Sequence, residues 1–303
     1  TAYELATAEA PEKKERIKAL PSFYDASGLT TEQRFATSKD GTRVPYFLIR
    51  KSDKALDGST PTLLYGYGGF EISLTPSYIA TVGVGWLERG GAYVQANIRG
   101  GGEYGPRWHQ AALKASRNKA YEDFEAVAVD LVKLGVTSHD ILACEGGSNG
   151  GLLVGNMLTR SPQLWGAIVC AVPLLDMRRF SKLLAGASWM GEYGDPDKED
   201  EWASLQNYSP YHQLKANTTY PPVLFTTSTR DDRVHPGHAR KMVHKLLECG
   251  MASALYYENI EGGHGGAADN KQRAFMKTLS YSFLQRALVD KEIQPCATGA
   301  CSS

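Results

Sequence analysis

The sequence predicts an α/β fold built on a mostly parallel, twisted sheet with helices on both faces. Short apolar segments alternate with segments of helical periodicity along most of the chain, and strands of that kind are buried on both faces of a parallel sheet. A glycine-rich hexapeptide at 146–151 joins one apolar segment directly to a helical one. With 303 residues, of which 42% are hydrophobic, the chain can bury the core that such a sheet requires.

The first predicted element is a hairpin between Gln33 and Arg50, because Asp40-Gly41 separates two segments with β-like alternation. Helical periodicity follows at 78–88, 121–134 and 152–158, and Gly135 is placed to end the second of these helices. Short apolar runs predict the remaining strands at 62–65, 92–96, 141–144, 167–172, 223–227 and 254–257.

Composition excludes several classes of function. Lys plus Arg equals Asp plus Glu at 33 each, so we expect neither nucleic acid nor an anionic membrane as a partner. Apolar runs all fall short of the roughly 18 residues of a membrane span, and the charged start favours a cytoplasmic protein. Since the chain does not begin with methionine, a lost upstream signal would make it periplasmic or secreted.

Cysteine usage and motifs give no indication of a metal or organic cofactor. The five cysteines are scattered and lack metal-ligand spacing, which predicts a chain that does not rely on disulfides. Cys144 and Cys170 lie in apolar runs and are expected to be buried.

The hexapeptide Gly-Gly-Ser-Asn-Gly-Gly contains G-x-S-x-G between a strand and a helix, the pattern of a nucleophile elbow. A serine on so tight a turn needs small neighbours, and Gly146 and Gly150 provide that clearance. Ser148 is therefore a candidate nucleophile, and the amide of Asn149 at the start of the next helix is a candidate donor to an oxyanion.

A serine nucleophile requires a base and an acid that orients the base. In α/β-hydrolases the chain order is Ser, acid, His. Asp231-Asp232 follows the strand at 223–227, and His264 follows the strand at 254–257 with two glycines on each side. Both lie where that order requires; His235, beside the acid loop, is the weaker candidate base.

Two further glycine-rich segments follow predicted strands. Tyr65–Phe70 lies where hydrolases place a second oxyanion donor, and the Tyr67 hydroxyl is a candidate for it. Gly100–Gly105 fits G-x-G-x-x-G, so dinucleotide binding is an alternative. That interpretation is weak because the motif lies outside the first βα unit, Pro106 follows it, and we predict no helix directly after Gly105.

From about Leu20 to Leu288 the sequence resembles the catalytic domain of the prolyl oligopeptidase family, serine peptidases that cleave short peptides after proline. The resemblance rests on five blocks in order: Tyr-Gly-Tyr-Gly-Gly-Phe at 65–70, Asn-Ile-Arg-Gly-Gly-Gly-Glu-Tyr-Gly at 97–105, Gly-Gly-Ser-Asn-Gly-Gly at 146–151, Asp-Asp-Arg-Val at 231–234 and Gly-His-Gly at 263–265.

The resemblance implies an α/β-hydrolase fold with helices on both faces of a twisted sheet. It implies Ser148 as nucleophile, Asp231 as orienting acid and His264 as general base. It also implies that the Tyr67 hydroxyl and the Asn149 amide form the oxyanion hole.

A proline pocket is implied as well, with Trp189 as the surface on which the ring stacks and Arg233 hydrogen-bonding a substrate carbonyl. The implied walls are Phe70, Leu174, Tyr193 and Val234. Leu174 stands where the family usually has valine. Relatives that cut after Lys or Arg need carboxylates in this pocket, for which Glu192 and Asp195 are the acidic residues nearby.

Full-length members of the family carry an N-terminal β-propeller over the active site. We therefore expect residues 1–32 to be a linker or the end of that propeller, 33–290 the peptidase domain and 291–303 a tail. The expected substrates are short proline-containing peptides. The alternatives are another α/β-hydrolase, such as an esterase or an oligopeptidase with a different P1 preference, and an inactive fragment that only binds or packs.

Overall fold

The computed structural model describes residues 2–4 and 15–299. Its centre is an eight-stranded sheet. The strands, in chain order, are β1 (Leu29–Thr37), β2 (Arg43–Lys51), β3 (Thr62–Tyr65), β4 (Ala92–Ala96), β5 (Leu142–Gly147), β6 (Ala167–Ala171), β7 (Val223–Ser228) and β8 (Ala254–Asn259).

The strand order across the sheet is β8-β7-β6-β5-β3-β4-β2-β1. Strands β3 to β8 are parallel, whereas β2 pairs antiparallel with both β1 and β4. The predicted hairpin is confirmed, because Thr37 of β1 pairs with Arg43 of β2 and the Ser38 amide donates to the Thr42 carbonyl at 2.8 Å. A mostly parallel sheet places the carboxyl ends of its central strands along one edge.

The longer helices are α1 (Asn118–Lys133), α2 (Asn149–Arg160), α3 (Gly237–Glu248) and α4 (Asn270–Leu284). They cover both faces of the sheet, as predicted. Leu64 of β3 and Val94 of β4 belong to the hydrophobic cluster that includes residues of α1, α2 and α3. Their neighbours Leu63 and Tyr93 belong to the cluster that includes α4, as expected where side chains alternate between faces.

Shorter helices occupy the loops: Ala80–Val82, Pro106–Gln110, Met190–Tyr193, Glu199–Leu205 and Pro210–Gln213. The predicted helix at 78–88 is wrong in length, because only Ala80–Val82 is α-helical and a π-helical turn follows at Gly83–Leu87. The turn packs closely: a Cβ on Gly85 would lie 2.3 Å from the Tyr281 ring. A helix does begin directly after Gly105, contrary to expectation, with Pro106 in its first turn.

Two small antiparallel sheets involve the ends of the described chain. Ala2–Glu4 pairs with Glu15–Lys18, and Cys296–Ala297 pairs with Thr219–Tyr220. The domain boundaries at 32 and 290 remain predictions, and residues 1, 5–14 and 300–303 lie outside the described residues.

Cys144 and Cys170 are buried and free, as expected. The sequence predicts a chain that does not rely on disulfides; Cys249 is nevertheless disulfide-bonded. Within residues 2–4 and 15–299, every helix is too short or too polar to span a membrane.

Candidate active site

Ser148 lies on the turn between β5 and α2. Its backbone has φ +60° and ψ −117°, a conformation that costs a non-glycine residue free energy. The Ser148 amide donates to the Ala171 carbonyl at 2.9 Å, which ties the turn to β6. A Cβ on Gly146 would lie 2.2 Å from the Gly150 carbonyl oxygen, so the chain passes itself closely here, as the G-x-S-x-G pattern predicts.

The structure brings His264 and Asp231 to Ser148. The His264 Nε2 lies 3.0 Å from the Ser148 Oγ. The opposite ring nitrogen, Nδ1, lies 2.8 Å from one Asp231 carboxylate oxygen and 3.0 Å from the other. The three side chains therefore form one hydrogen-bonded chain from a carboxylate to a hydroxyl, the geometry that activates a serine.

Asp231 is held by its own loop. Its Oδ1 accepts the backbone N–H groups of Arg233 and Val234, each at 2.9 Å, and its side chain is fully buried. The His264 side chain is 17% exposed, so the chain of hydrogen bonds runs from the interior toward solvent. His235, the weaker candidate base, bonds to the start of α3 instead: its Nδ1 accepts the Gly237 N–H at 2.9 Å.

The loop that carries His264 is closed by the side chain of Asn259, the last residue of β8. The Asn259 Oδ1 accepts the N–H groups of Glu261 and Gly262 at 2.9 and 3.2 Å. Its Nδ2 donates to the Gly266 carbonyl at 3.1 Å and to the Gln272 Oε1 at 3.0 Å. Asn259 was not predicted from the sequence, where its position five residues before the histidine is its only signal.

The two candidate oxyanion donors lie beside Ser148. Asn149 is the first residue of α2, so its N–H has no partner within the helix. Burial raises the pKa of the Tyr67 phenol above its ordinary value, and Ser148 is among the groups that interact with it. Tyr67 is therefore protonated at neutral pH and able to donate. The Asn149 Nδ2 donates to the Tyr67 carbonyl at 2.7 Å, which links the two segments.

The residues expected to form a proline pocket share one hydrophobic cluster. This is the large cluster that also includes residues of α1, α2 and α3; Leu174, Trp189, Tyr193 and Val234 are buried members of it, and Phe70 packs against it. The rings of Phe70 and Tyr193 meet edge to face, with centroids 5.7 Å apart. Phe180, which was not predicted from the sequence, contacts Tyr193 in the same way, with centroids 5.5 Å apart. Arg233 is exposed beside the cluster.

The two acidic residues considered for this pocket are already bonded. Glu192 is buried and its Oε1 accepts from the Arg117 guanidinium and from the Phe70 N–H, both at 2.9 Å. Asp195 accepts the Asp197 N–H at 3.0 Å. The charge of Glu192 is therefore neutralised inside the protein, which disfavours it as the partner of a basic P1 side chain.

The Gly100–Gly105 loop packs on the segment at 65–70, the Tyr67 loop. A Cβ on Gly100 would lie 2.4 Å from the Gly68 carbonyl oxygen. The preceding residue, Arg99, donates to Asp123 on α1 at 2.6 and 2.9 Å. These contacts give the motif a packing role and disfavour the dinucleotide alternative.

Comparison with known proteins gives matches along most of the chain. The model of the prolyl oligopeptidase family matches residues 79–291. An uncharacterized peptidase of Sinorhizobium fredii is 52% identical over 278 residues, which cover 92% of this chain and 38% of that protein. The prolyl endopeptidase of Elizabethkingia miricola is 41% identical over 263 residues, which cover 86% of this chain and 36% of that protein.

Among solved structures, that of a post-proline cleaving enzyme from Rickettsia typhi matches with a TM-score of 0.86 and 40% sequence identity. The match covers 94% of this chain and 41% of that one. The chain thus spans less than half the length of each of these relatives.

Proposed function

The chain belongs to the prolyl oligopeptidase family and has the α/β-hydrolase fold, and we therefore propose that it is the catalytic domain of a serine endopeptidase. In this proposal it hydrolyses short peptides on the carboxyl side of proline. The observation that carries it is the hydrogen-bonded chain from Asp231 through His264 to Ser148. Similarity to a prolyl endopeptidase and to a post-proline cleaving enzyme supports the choice of substrate.

In the acylation step the Ser148 Oγ attacks the carbonyl carbon of the proline residue. Its proton passes to the His264 Nε2, while Asp231 holds the Nδ1–H and stabilises the imidazolium. The electron pair of the carbonyl moves onto its oxygen, and the Tyr67 hydroxyl and the Asn149 N–H donate to that oxyanion. When this electron pair re-forms the carbonyl double bond, the C–N bond breaks and the leaving amine takes the proton from the His264 Nε2.

Deacylation repeats these steps with water as the nucleophile. His264 removes a proton from water, which attacks the acyl carbon and forms a second oxyanion in the same place. The ester bond to Ser148 then breaks, and the Oγ takes the proton back from Nε2. The peptide ending in proline is released with its new carboxylate.

Phe70, Trp189 and Tyr193, the aromatic cluster, support a preference for proline. A pyrrolidine ring is apolar and has no N–H once it is in a peptide, so an aromatic face holds it by dispersion and burial without needing a polar partner. Trp189 is proposed as that face, with Phe70 and Tyr193 beside it. Arg233, which is exposed, is proposed to donate to a substrate carbonyl. A β-propeller outside this chain is the proposed partner domain, consistent with the greater length of the relatives.

The test is hydrolysis of a blocked Gly-Pro chromogenic peptide beside matched Ala and Arg peptides and a simple ester, with Ser148→Ala as control. We expect cleavage of the Pro peptide and a loss of about 10⁴-fold in turnover in the variant. Comparable activity in Ser148→Ala would contradict the mechanism. Cleavage of esters but of none of the three peptides would favour another α/β-hydrolase, and no cleavage by a folded sample would favour an inactive fragment.

A further inference from the structure

Arg117 is a charged side chain in the interior of the protein. It lies just before α1, and its side chain is 0% exposed. One terminal nitrogen, Nη1, donates to the Glu192 Oε1 at 2.9 Å, and the other, Nη2, donates to the Asn149 Oδ1 at 2.5 Å. Because desolvation of both charges offsets most of their attraction, a buried ion pair adds little net stability. The Arg117–Glu192 pair is therefore better explained by a role other than stability.

Both partners of Arg117 contact segments of the candidate active site. The Asn149 side chain accepts from the Tyr193 hydroxyl at 2.8 Å and donates to the Tyr67 carbonyl at 2.7 Å. Glu192 accepts the Phe70 N–H at 2.9 Å. One ion pair thus contacts the nucleophile turn, the Tyr67 loop and the aromatic cluster.

The Tyr67 loop packs closely on this pair. A Cβ on Gly69 would lie 2.5 Å from the Asn149 Nδ2 and 3.0 Å from the Arg117 Nη2. The Arg117 guanidinium also lies over the Tyr193 ring, 5.4 Å from its centroid. The Tyr67 loop is therefore pressed directly against the side chains that Arg117 holds.

We propose that Arg117 is a positioning residue for the oxyanion hole, with Glu192 as its counter-charge. Arg117 fixes the Asn149 side chain, and this side chain sets the distance between the Tyr67 loop and the start of α2. The Tyr67 hydroxyl and the Asn149 N–H then face the same point beside the Ser148 Oγ. The inference rests on the proposed function and goes beyond it by assigning what aligns the two donors.

The fork of an arginine is required for this role. Two different nitrogens serve two acceptors, whereas a lysine has a single nitrogen. Arg117→Lys keeps the charge that balances Glu192 but cannot keep both bonds in this geometry. Because a displacement of about 1 Å at a catalytic group costs roughly 100-fold in rate, we expect kcat to fall by roughly that factor while KM changes by less than about threefold.

A double variant separates positioning from stability. Arg117→Met combined with Glu192→Gln removes both charges, so its melting temperature is expected to exceed that of Arg117→Met alone. The double variant still lacks the hydrogen bond from residue 117 to the Asn149 side chain. We therefore expect its kcat for the Gly-Pro substrate to remain roughly 100-fold below that of the parent chain. Recovery of kcat together with the melting temperature would overturn the proposal. Arg107→Lys, at an exposed arginine, is the matched control and should leave kcat unchanged.

Backbone amide hydrogen exchange gives a readout that needs no turnover. In Arg117→Lys we expect faster exchange in residues 66–71 and 147–152, with α4 unchanged. Equal exchange in both proteins, or a uniform increase along the chain, would overturn the proposal. If the parent chain and Ser148→Ala are equally inactive, the proposed function fails, and the exchange data still decide whether Arg117 orders these two segments.

Discussion

At the scale of single residues, the indole of Trp189 has the most specific role in the proposed substrate preference. It is 8% exposed and lies in the same hydrophobic cluster as Tyr193 and Val234. A proline ring resting on it gains the burial and dispersion of an aromatic contact, whereas a smaller P1 side chain gains much less. Trp189 is thus expected to act on substrate choice and not on the chemistry of Ser148.

Trp189→Ala should lower kcat/KM for a Gly-Pro substrate by roughly 30-fold, because an aromatic contact with its buried area contributes about 2 kcal/mol. Hydrolysis of a simple activated ester, which does not need the pocket, should fall much less. Steady-state kinetics on both substrates measures the difference. Trp189→Phe retains an aromatic face and should recover most of the loss; equal losses on both substrates would contradict the assignment.

At the scale of structural elements, the loop between β8 and α4 determines where His264 lies. The Asn259 side chain contacts both arms of this loop through four hydrogen bonds. Gln272, in the first turn of α4, also accepts the Ala268 N–H at 2.8 Å. The histidine is therefore positioned by the two elements that flank it.

Asn259→Ala should lower kcat/KM roughly 10- to 100-fold, because a displaced base loses its alignment with the Ser148 Oγ. Its cost in stability should be only about 1 to 3 kcal/mol, the penalty for leaving buried polar groups unpaired. Kinetics and urea unfolding measure the two effects separately.

Asn207→Ala, at an exposed asparagine whose side chain donates to the Ala203 carbonyl, is the matched control for this change. A loss of activity in Asn259→Ala no greater than in the control would show that the loop holds His264 without this side chain.

At the scale of the whole molecule, stability should depend on pH through a buried histidine outside the active site. His238 on α3 is 2% exposed, and its Nδ1 accepts the N–H groups of Leu175 and Asp176 at 3.2 and 3.1 Å. Burial lowers the pKa of His238 to about 4 from its ordinary value of 6.5. As the pH falls, His238 is therefore protonated near pH 6.5 in the unfolded chain but only near pH 4 in the folded protein.

The contribution of His238 is fully present above pH 6.5 and is lost as the pH falls toward 4. Between pH 7.5 and 5 this group should lower the free energy of unfolding by about 2 kcal/mol. Urea unfolding at both values measures the change, and His238→Gln, which keeps an acceptor for the two N–H groups, should reduce it by that amount. An identical pH dependence in the variant would contradict the assignment.

The sequence predicted most of the fold because the strands carry local signals. The Asp40-Gly41 turn and the apolar runs of β3 to β8 are readable without any long-range contact, whereas the π-helical turn at Gly83–Leu87, where Gly85 packs on Tyr281, is not. Ser148, Asp231 and His264 could be selected for the same reason, since each follows a recognisable strand. Arg117 could not, because it lies in a polar stretch and its partner Glu192 is 75 residues away.

The position of these residues along the chain has a consequence for the order in which they become reactive. Ser148 follows the central strand β5, whereas Asp231 and His264 follow β7 and β8. Because synthesis runs from the amino terminus, a growing chain that has emerged only as far as α2 has its serine but no base. A serine hydroxyl alone is a poor nucleophile. Under the proposed mechanism, a partly synthesised chain on the ribosome therefore cannot cleave its own unfolded segments, which are the nearest peptides to Ser148.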